Sequence, residues 1–154
     1  MTLRPGRVAD IPALDAIAHA AKAHWGYSAA QLQAWQADLA VPPGSLATDP
    51  LCVAEEGGEP VGFIQIATHT QPWELSAMWV SPGHMGRGVG RALMAWARQC
   101  AADAGQAMLA IDADPNAEAF YKACGAVRVG EVPAPIDGQP DRVRPQLRLR
   151  TRAA

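Results

Sequence analysis

The 154 residues carry 13 Lys+Arg against 15 Asp+Glu, a formal net charge of −2, with 49% hydrophobic and 18% charged residues. That length fits a single domain over residues 1–154, able to bury one core, and the composition excludes a disordered chain. The charge excludes a general attraction to nucleic acid or an anionic membrane, and no apolar run approaches the ~20 residues of a spanning helix. No nucleic acid or membrane partner is expected, and the chain reads as soluble and cytoplasmic.

In chain order, Thr2 to Arg7 is a short polar strand. Asp10-Ile11-Pro12 then opens a helix, with Asp10 as cap and Pro12 in the first turn. Ile11, Leu14, Ile17, Ala18 and Ala21 follow helical spacing and form its buried stripe. His24-Trp25-Gly26-Tyr27 breaks it. Ser28 caps a second helix through Leu32, Trp35 and Leu39, which Pro42-Pro43-Gly44 ends. Trp35 at this spacing reads as a core residue. Leu51 to Glu55 and Val61 to Thr70 read as a hairpin around Glu56-Gly57-Gly58-Glu59. Glu74 to Val80 is the next strand, closed by Ser81-Pro82-Gly83.

A long helix follows, with Val89, Leu93, Trp96, Ala97, Cys100 and Ala104 in one stripe and Gly105 at its end. Ala107 to Ile111 is wholly apolar, as suits a strand covered on both faces. Asp114-Pro115 starts a last helix that Gly125 terminates. Val127 to Val132 and Val143 to Leu149 are closing strands. The order β-α-α-β-β-β-α-β-α-β-β predicts an α+β sandwich with helices on a mixed, mostly antiparallel sheet. Arg142, Arg144, Arg148, Arg150 and Arg152 read as a solvated basic face.

Cys52, Cys100 and Cys124 are odd in number and lack any CxxC or Cys/His cluster. Three free thiols are expected, with neither a disulfide framework nor a metal. His69 and His84 are isolated and carry no metal spacing. Only Lys22 and Lys122 are lysines among the basic residues; this arginine bias looks like that of a bacterial genome.

The strongest signal is Val80-Ser81-Pro82-Gly83-His84-Met85-Gly86-Arg87-Gly88-Val89-Gly90-Arg91, a strand running through a glycine turn into a helix. Glycines let backbone approach an anion, and a helix start aims free N–H groups and a positive dipole end at it. A Walker loop is excluded because Val89-Gly90 follows Gly88 where Lys-Ser/Thr is required. A dinucleotide fingerprint is excluded because Arg91 stands where the third glycine belongs.

At this loop the sequence resembles the GNAT superfamily of N-acetyltransferases, whose acyl-CoA loop follows a strand ending Val-x-Pro. Met85 departs from the family's usual Gln or Arg. A second stretch, Asp114-Pro115-Asn116-Ala117-Glu118-Ala119-Phe120-Tyr121-Lys122-Ala123-Cys124-Gly125-Ala126, looks like the family's Asn-Ala-x-x-Phe-Tyr segment, with Ala126 in place of the usual Phe.

The resemblance implies transfer of an acetyl group from acetyl-CoA to a primary amine within a ternary complex, with no metal. It places the pantetheine arm against Met78, Trp79 and Val80, and the pyrophosphate over Met85, Gly86, Arg87, Gly88, Val89, Gly90 and Arg91. Asn116 is implied as a pantetheine contact. Tyr121 is implied as the acid that protonates the leaving thiolate; a phenol near pKa 10 is a competent donor to a thiol near 8.5. The base that frees the amine is either Glu74 or, from the helix-to-helix connection, His24. The acceptor is a small-molecule, peptide or protein amine, and a homodimer is compatible with the resemblance. The alternative is a non-catalytic acyl-CoA-binding regulatory module.

Overall fold

The computed structural model describes residues 1–152. It comprises β1 (Thr2–Pro5), α1 (Ile11–His24), α2 (Ala29–Leu39), β2 (Leu51–Glu56), β3 (Glu59–Ala67), β4 (Trp73–Val80), α3 (Val89–Asp103), β5 (Met108–Asp112), α4 (Glu118–Ala123), β6 (Val127–Pro133) and β7 (Val143–Arg150). The strands form one seven-stranded sheet in the order β1-β2-β3-β4-β5-β7-β6. Every pairing is antiparallel except that of β4 with β5. This is the mixed α+β architecture that the element order implied.

Alternation along the strands divides the core between the two faces of the sheet. On one face, Ile64, Ile66, Leu109, Ile111, Leu147 and Leu149 pack with Leu93, Met94 and Ala97 of α3. On the other, Val53 and Phe63 pack with Leu14, Ile17 and Ala18 of α1. The α1 cluster draws on no residue of β5, β6 or β7. On that side β5 and β7 carry polar residues, Asp112, Arg144, Gln146 and Arg148, over a largely open part of the sheet.

Several local expectations change in the fold. Asp10 occupies the N-cap position of α1, but its side chain bonds none of the helix's free N–H groups. A short 3-10 turn, Val8–Asp10, precedes the helix. Asp10 instead accepts from the Arg7 N–H at 2.8 Å and from Arg4 Nη2 at 2.7 Å. The Arg4 hydrogen bond holds this carboxyl at about 2, well below its usual range. Ser28 caps α2 as its position suggests, accepting from the Gln31 N–H at 3.1 Å. β3 starts earlier than expected, at Glu59, because the two-residue Gly57-Gly58 turn keeps its flanks in register. It ends before Thr68, whose hydroxyl bonds Asp49 Oδ1 at 3.0 Å instead of extending the strand. The helix expected after Asp114 begins as a 3-10 turn, Pro115–Ala117, and continues as the six residues of α4.

Leu93 is fully buried where α3 meets the sheet. Leu93→Ala should cost about 2–5 kcal/mol, transfer and cavity terms together. Denaturant titration would measure this as a lowered midpoint with an unchanged slope.

Candidate active site

β4 and β5 run side by side only over Trp73–Leu75 and Leu109–Ile111. The register of β4 against β3 shifts at Ser76, since Gln65 faces Ala77 while Ile66 faces Leu75. Past this bulge β4 continues to Val80, whereas β5 stops at Asp112 and the chain turns away. The β5 side of β4 is therefore unpaired from Ser76 to Val80. Two contiguous cavities open there. One, of about 320 Å³, includes Glu74, Ser76, Lys22 and Asp114 in its lining. The other, of about 250 Å³, is lined by Val80, Met85, Gly86, Gly90, Asn116 and Phe120 among others. Trp25, Met78, Trp79, Ala117 and Tyr121 belong to both.

The glycine loop forms the far wall of the second cavity. Gly86 and Gly88 have φ of 77° and 85°, a region that disfavours side chains. Gly88 stands immediately before α3. The first helical bond of α3 is Ala92 N–H to the Gly88 carbonyl at 3.0 Å. Among the described residues, the N–H groups of Gly86 through Arg91 donate no hydrogen bond. N–H groups without a well-formed partner at a helix N-terminus suit an anion. Gly90 has a different reason: a Cβ there would lie 2.9 Å from Phe120 Cζ, so α3 and α4 touch through it.

The loop's side chains serve differently from its backbone. Val89 is buried in the core and offers the cradle only its N–H. Met85 is half-buried and packs on the core beside the cavity, which explains how an apolar residue is accommodated at this position. Arg87 and Arg91 are exposed, and neither lines the second cavity. His84 lines it, with Nδ1 buried and without a partner and Nε2 3.7 Å from Glu56.

Tyr121 is buried at the junction of the two cavities, its ring 5.4 Å from that of Phe120. Burial raises the pKa of its hydroxyl, so it holds its proton through the neutral range. Glu74 is half-buried in the first cavity. Desolvation and the neighbouring Asp112 raise its pKa, against the opposing fields of His69 and Arg148. His24 is exposed on the last turn of α1 and lines neither cavity. The α1 stripe through Leu14, Ala18, Ala21 and Lys22 turns inward, and His24 falls off it. Its expected place beside the acceptor is thereby corrected.

The largest surprise is a buried ionic cluster. Lys22 Nζ lies 2.6 Å from Asp114 Oδ2, and Arg142 Nη2 lies 3.2 Å from the same oxygen. Tyr27 donates to Asp114 at 2.8 Å, and its oxygen accepts from Arg142 at 3.1 Å and Asn116 at 3.2 Å. Trp35 is not a simple core residue, because its ring stacks under Lys22 at 4.5 Å and Arg142 at 5.2 Å. Arg142, expected on a solvated face, is buried inside this cluster. The available signal was Lys22, a charge placed on the apolar stripe of α1. Desolvation raises the Asp114 carboxyl, but the Lys22 bond and charge more than offset it and hold it below the ordinary range.

Cys52, Cys100 and Cys124 are free thiols, and burial pushes that of Cys52 up to about 11. No group of three or more potential metal ligands occurs among the described residues. No helix among them is long and apolar enough to cross a membrane.

A family model described as an acetyltransferase (GNAT) domain matches residues 47–125, just over half of the chain. A GCN5-related N-acetyltransferase structure from Rhodopseudomonas palustris is similar at 25% identity and TM-score 0.78, covering 96% of this chain and 93% of that one. A Salmonella typhimurium acetyltransferase with its cofactor acetyl-CoA shares the fold at 19% identity and TM-score 0.73, covering 100% and 95%. The ribosomal-protein-S18-alanine N-acetyltransferase of Escherichia coli shares it at 17% identity and TM-score 0.75, covering 99% and 95%. No curated protein matches the sequence.

Asp114 is the sole carboxylate bonded to Lys22 and Arg142 among the described residues, and its side chain is only 5% exposed. Asp114→Asn should leave two buried cations without a counter-charge and cost about 3–5 kcal/mol. In the parent the lowered folded pKa contributes stability above the unfolded Asp value near 3.9, lost as pH falls through the folded value. In thermal melts the gap between the two proteins should therefore narrow as the pH falls below the unfolded Asp value.

Proposed function

The chain belongs to the GNAT acetyltransferase family, and on that premise we propose that it transfers the acetyl group of acetyl-CoA directly to a primary amine. The observation that carries this reading is the meeting of the two cavities at Tyr121. One cavity ends at the cradle of free N–H groups and suits a pyrophosphate. The other ends at Glu74 and suits an acceptor. The unpaired edge of β4 at Met78, Trp79 and Val80 offers backbone groups to a pantetheine arm between them. Asn116 stands beside that path in the second cavity.

Glu74 accepts the proton of the incoming ammonium, directly or through a water. The freed amine attacks the acetyl carbonyl, the carbon–sulfur bond breaks, and Tyr121 donates its proton to the departing thiolate. A raised carboxyl is the better base for this step, because its proton affinity comes closer to that of the amine. Trp25 and Trp79, with ring centroids 5.8 Å apart, line both cavities and keep the reacting centre partly out of water. The lining of the two cavities contains no cysteine thiol to carry the acyl group, which supports direct transfer.

Tyr121→Phe keeps the ring and removes the donor, so kcat should fall at least tenfold while the acetyl-CoA Kd stays within a few fold. Retention of more than half the parent kcat would reject the acid role. The acid limb of kcat/KM should lie above the ordinary Glu value near 4.3, with activity lost as pH falls and Glu74 protonates. Glu74→Gln should abolish that limb together with most of the rate.

At the cradle, Gly88→Glu adds a side chain at φ 85° and a negative charge facing the anion. The acetyl-CoA Kd should rise at least tenfold, about 1.4 kcal/mol, by calorimetric titration of the folded variant. Acetyl-CoA binding without thiol release across a broad amine panel would favour a non-catalytic acyl-CoA-binding module instead.

A further inference from the structure

Beyond Glu74 the acceptor cavity does not close. A third cavity, of about 220 Å³, shares Glu74 and Asp112 with it and continues across the uncovered face of the sheet. Its floor is set by the strand register. Glu74 pairs with Ala110 on β5, and Ala110 pairs with Arg148 on β7. These three residues form one row, and all three line the third cavity. With strands about 4.8 Å apart, the backbones of Glu74 and Arg148 stand roughly 10 Å from each other. Ala110, having only a methyl group, leaves a slot between a carboxylate wall and a guanidinium wall.

The charges nearby differ in whether they are already engaged. Asp112 accepts from Arg144 at 2.9 Å and from Gln146 at 2.9 Å. Lys22 is bound to Asp114. Among the described residues, neither Glu74 nor Arg148 has an ion pair or a side-chain hydrogen bond. They remain the two uncommitted opposite charges of the slot. Asp38 is a further carboxylate of the acceptor cavity, but it is exposed.

We propose that the acceptor is a small amino-carboxylate, its amine held at Glu74 toward Tyr121 and its carboxylate held by Arg148 across Ala110. This rests on the acetyl-transfer reading above. A plain amine satisfies Glu74 and leaves Arg148 unanswered. A diamine brings its second cation toward that guanidinium. An amino-carboxylate meets both walls, and the guanidinium fork suits a carboxylate in two-point contact.

The test compares acetyl transfer to glycine, β-alanine, 4-aminobutanoate and 5-aminopentanoate with transfer to n-alkylamines and α,ω-diamines of matched length. At least one amino-carboxylate should exceed its matched amine and diamine tenfold or more in kcat/KM. Arg148→Gln should erase that advantage through KM, Arg148→Lys should restore part of it, and Arg148→Glu should shift the preference to the diamine. Circular dichroism and a melting curve would establish that each variant is folded. Equal or better use of the amine or diamine, or an advantage surviving Arg148→Gln, overturns the proposal. So does a protein that binds acetyl-CoA yet acetylates none of the amino-carboxylates. Failure to bind acetyl-CoA at all, read by calorimetry without any acceptor, strikes the acetyl-transfer reading as well, and the two failures are thereby told apart.

Discussion

The functional architecture depends on the parting of two parallel strands. β4 and β5 pair for three residues and then separate, because β4 bulges at Ser76 while β5 ends at Asp112. A strand edge in a protein interior is costly unless something bonds to its backbone groups. Here the edge faces a cleft rather than packed side chains. The cleft, the glycine cradle at the start of α3 and Tyr121 on α4 are arranged around that opening. A continuous β4–β5 ladder would close it and leave the cradle facing nothing.

The buried ionic cluster keeps one wall of the opening in place. Asp114 lies just past the end of β5, at the point where the chain leaves the sheet. It is bonded to Lys22 from α1, Tyr27 from the α1–α2 connection and Arg142 from the approach to β7. Three stretches distant in sequence, around Lys22–Tyr27, Asp114 and Arg142, thus meet at one carboxylate. Such clusters add little net stability over apolar packing, but breaking one by removing a partner is costly, so the contacts tie the end of β5 to α1 and to the approach to β7. Trp35 extends the arrangement by stacking under both cations, so α2 is aligned with the same point.

The same division of the sheet accounts for the shape of the cleft on the Glu74 side. α1 and α2 bury one half of the face, through Phe63, Val53 and their neighbours. The half formed by β5 and β7 is left polar and open. The opening lies at the border, and the cavities that lead to Tyr121 from the open half are lined by Glu74 and Arg148.

Much of this was determined by local sequence. The α1 stripe, Ser28 as a cap, the Gly57-Gly58 turn and the glycine loop express preferences acting over a few residues, and the chain obeys them, whereas the α3 stripe is rotated toward Met94 and Ala101 and leaves Ala104 exposed. The cradle was readable for the same reason, since free N–H groups and left-handed glycines are properties of one contiguous segment. Asp10 keeps the N-cap position, but its side chain turns to Arg4, brought close by β1, and that partner is not local to the helix. The exposed place of His24 is not legible locally, because only the docked orientation of α1 decides which side of its last turn faces the cleft. Arg142 and Trp35 were misread because their partners lie on other elements, and alternation or spacing along one element says nothing about them. The slot of Glu74, Ala110 and Arg148 belongs to the same class. It exists only once β4, β5 and β7 are aligned, because sheet register is set by the burial of Leu109, Ile111, Leu147 and Leu149 on the opposite face.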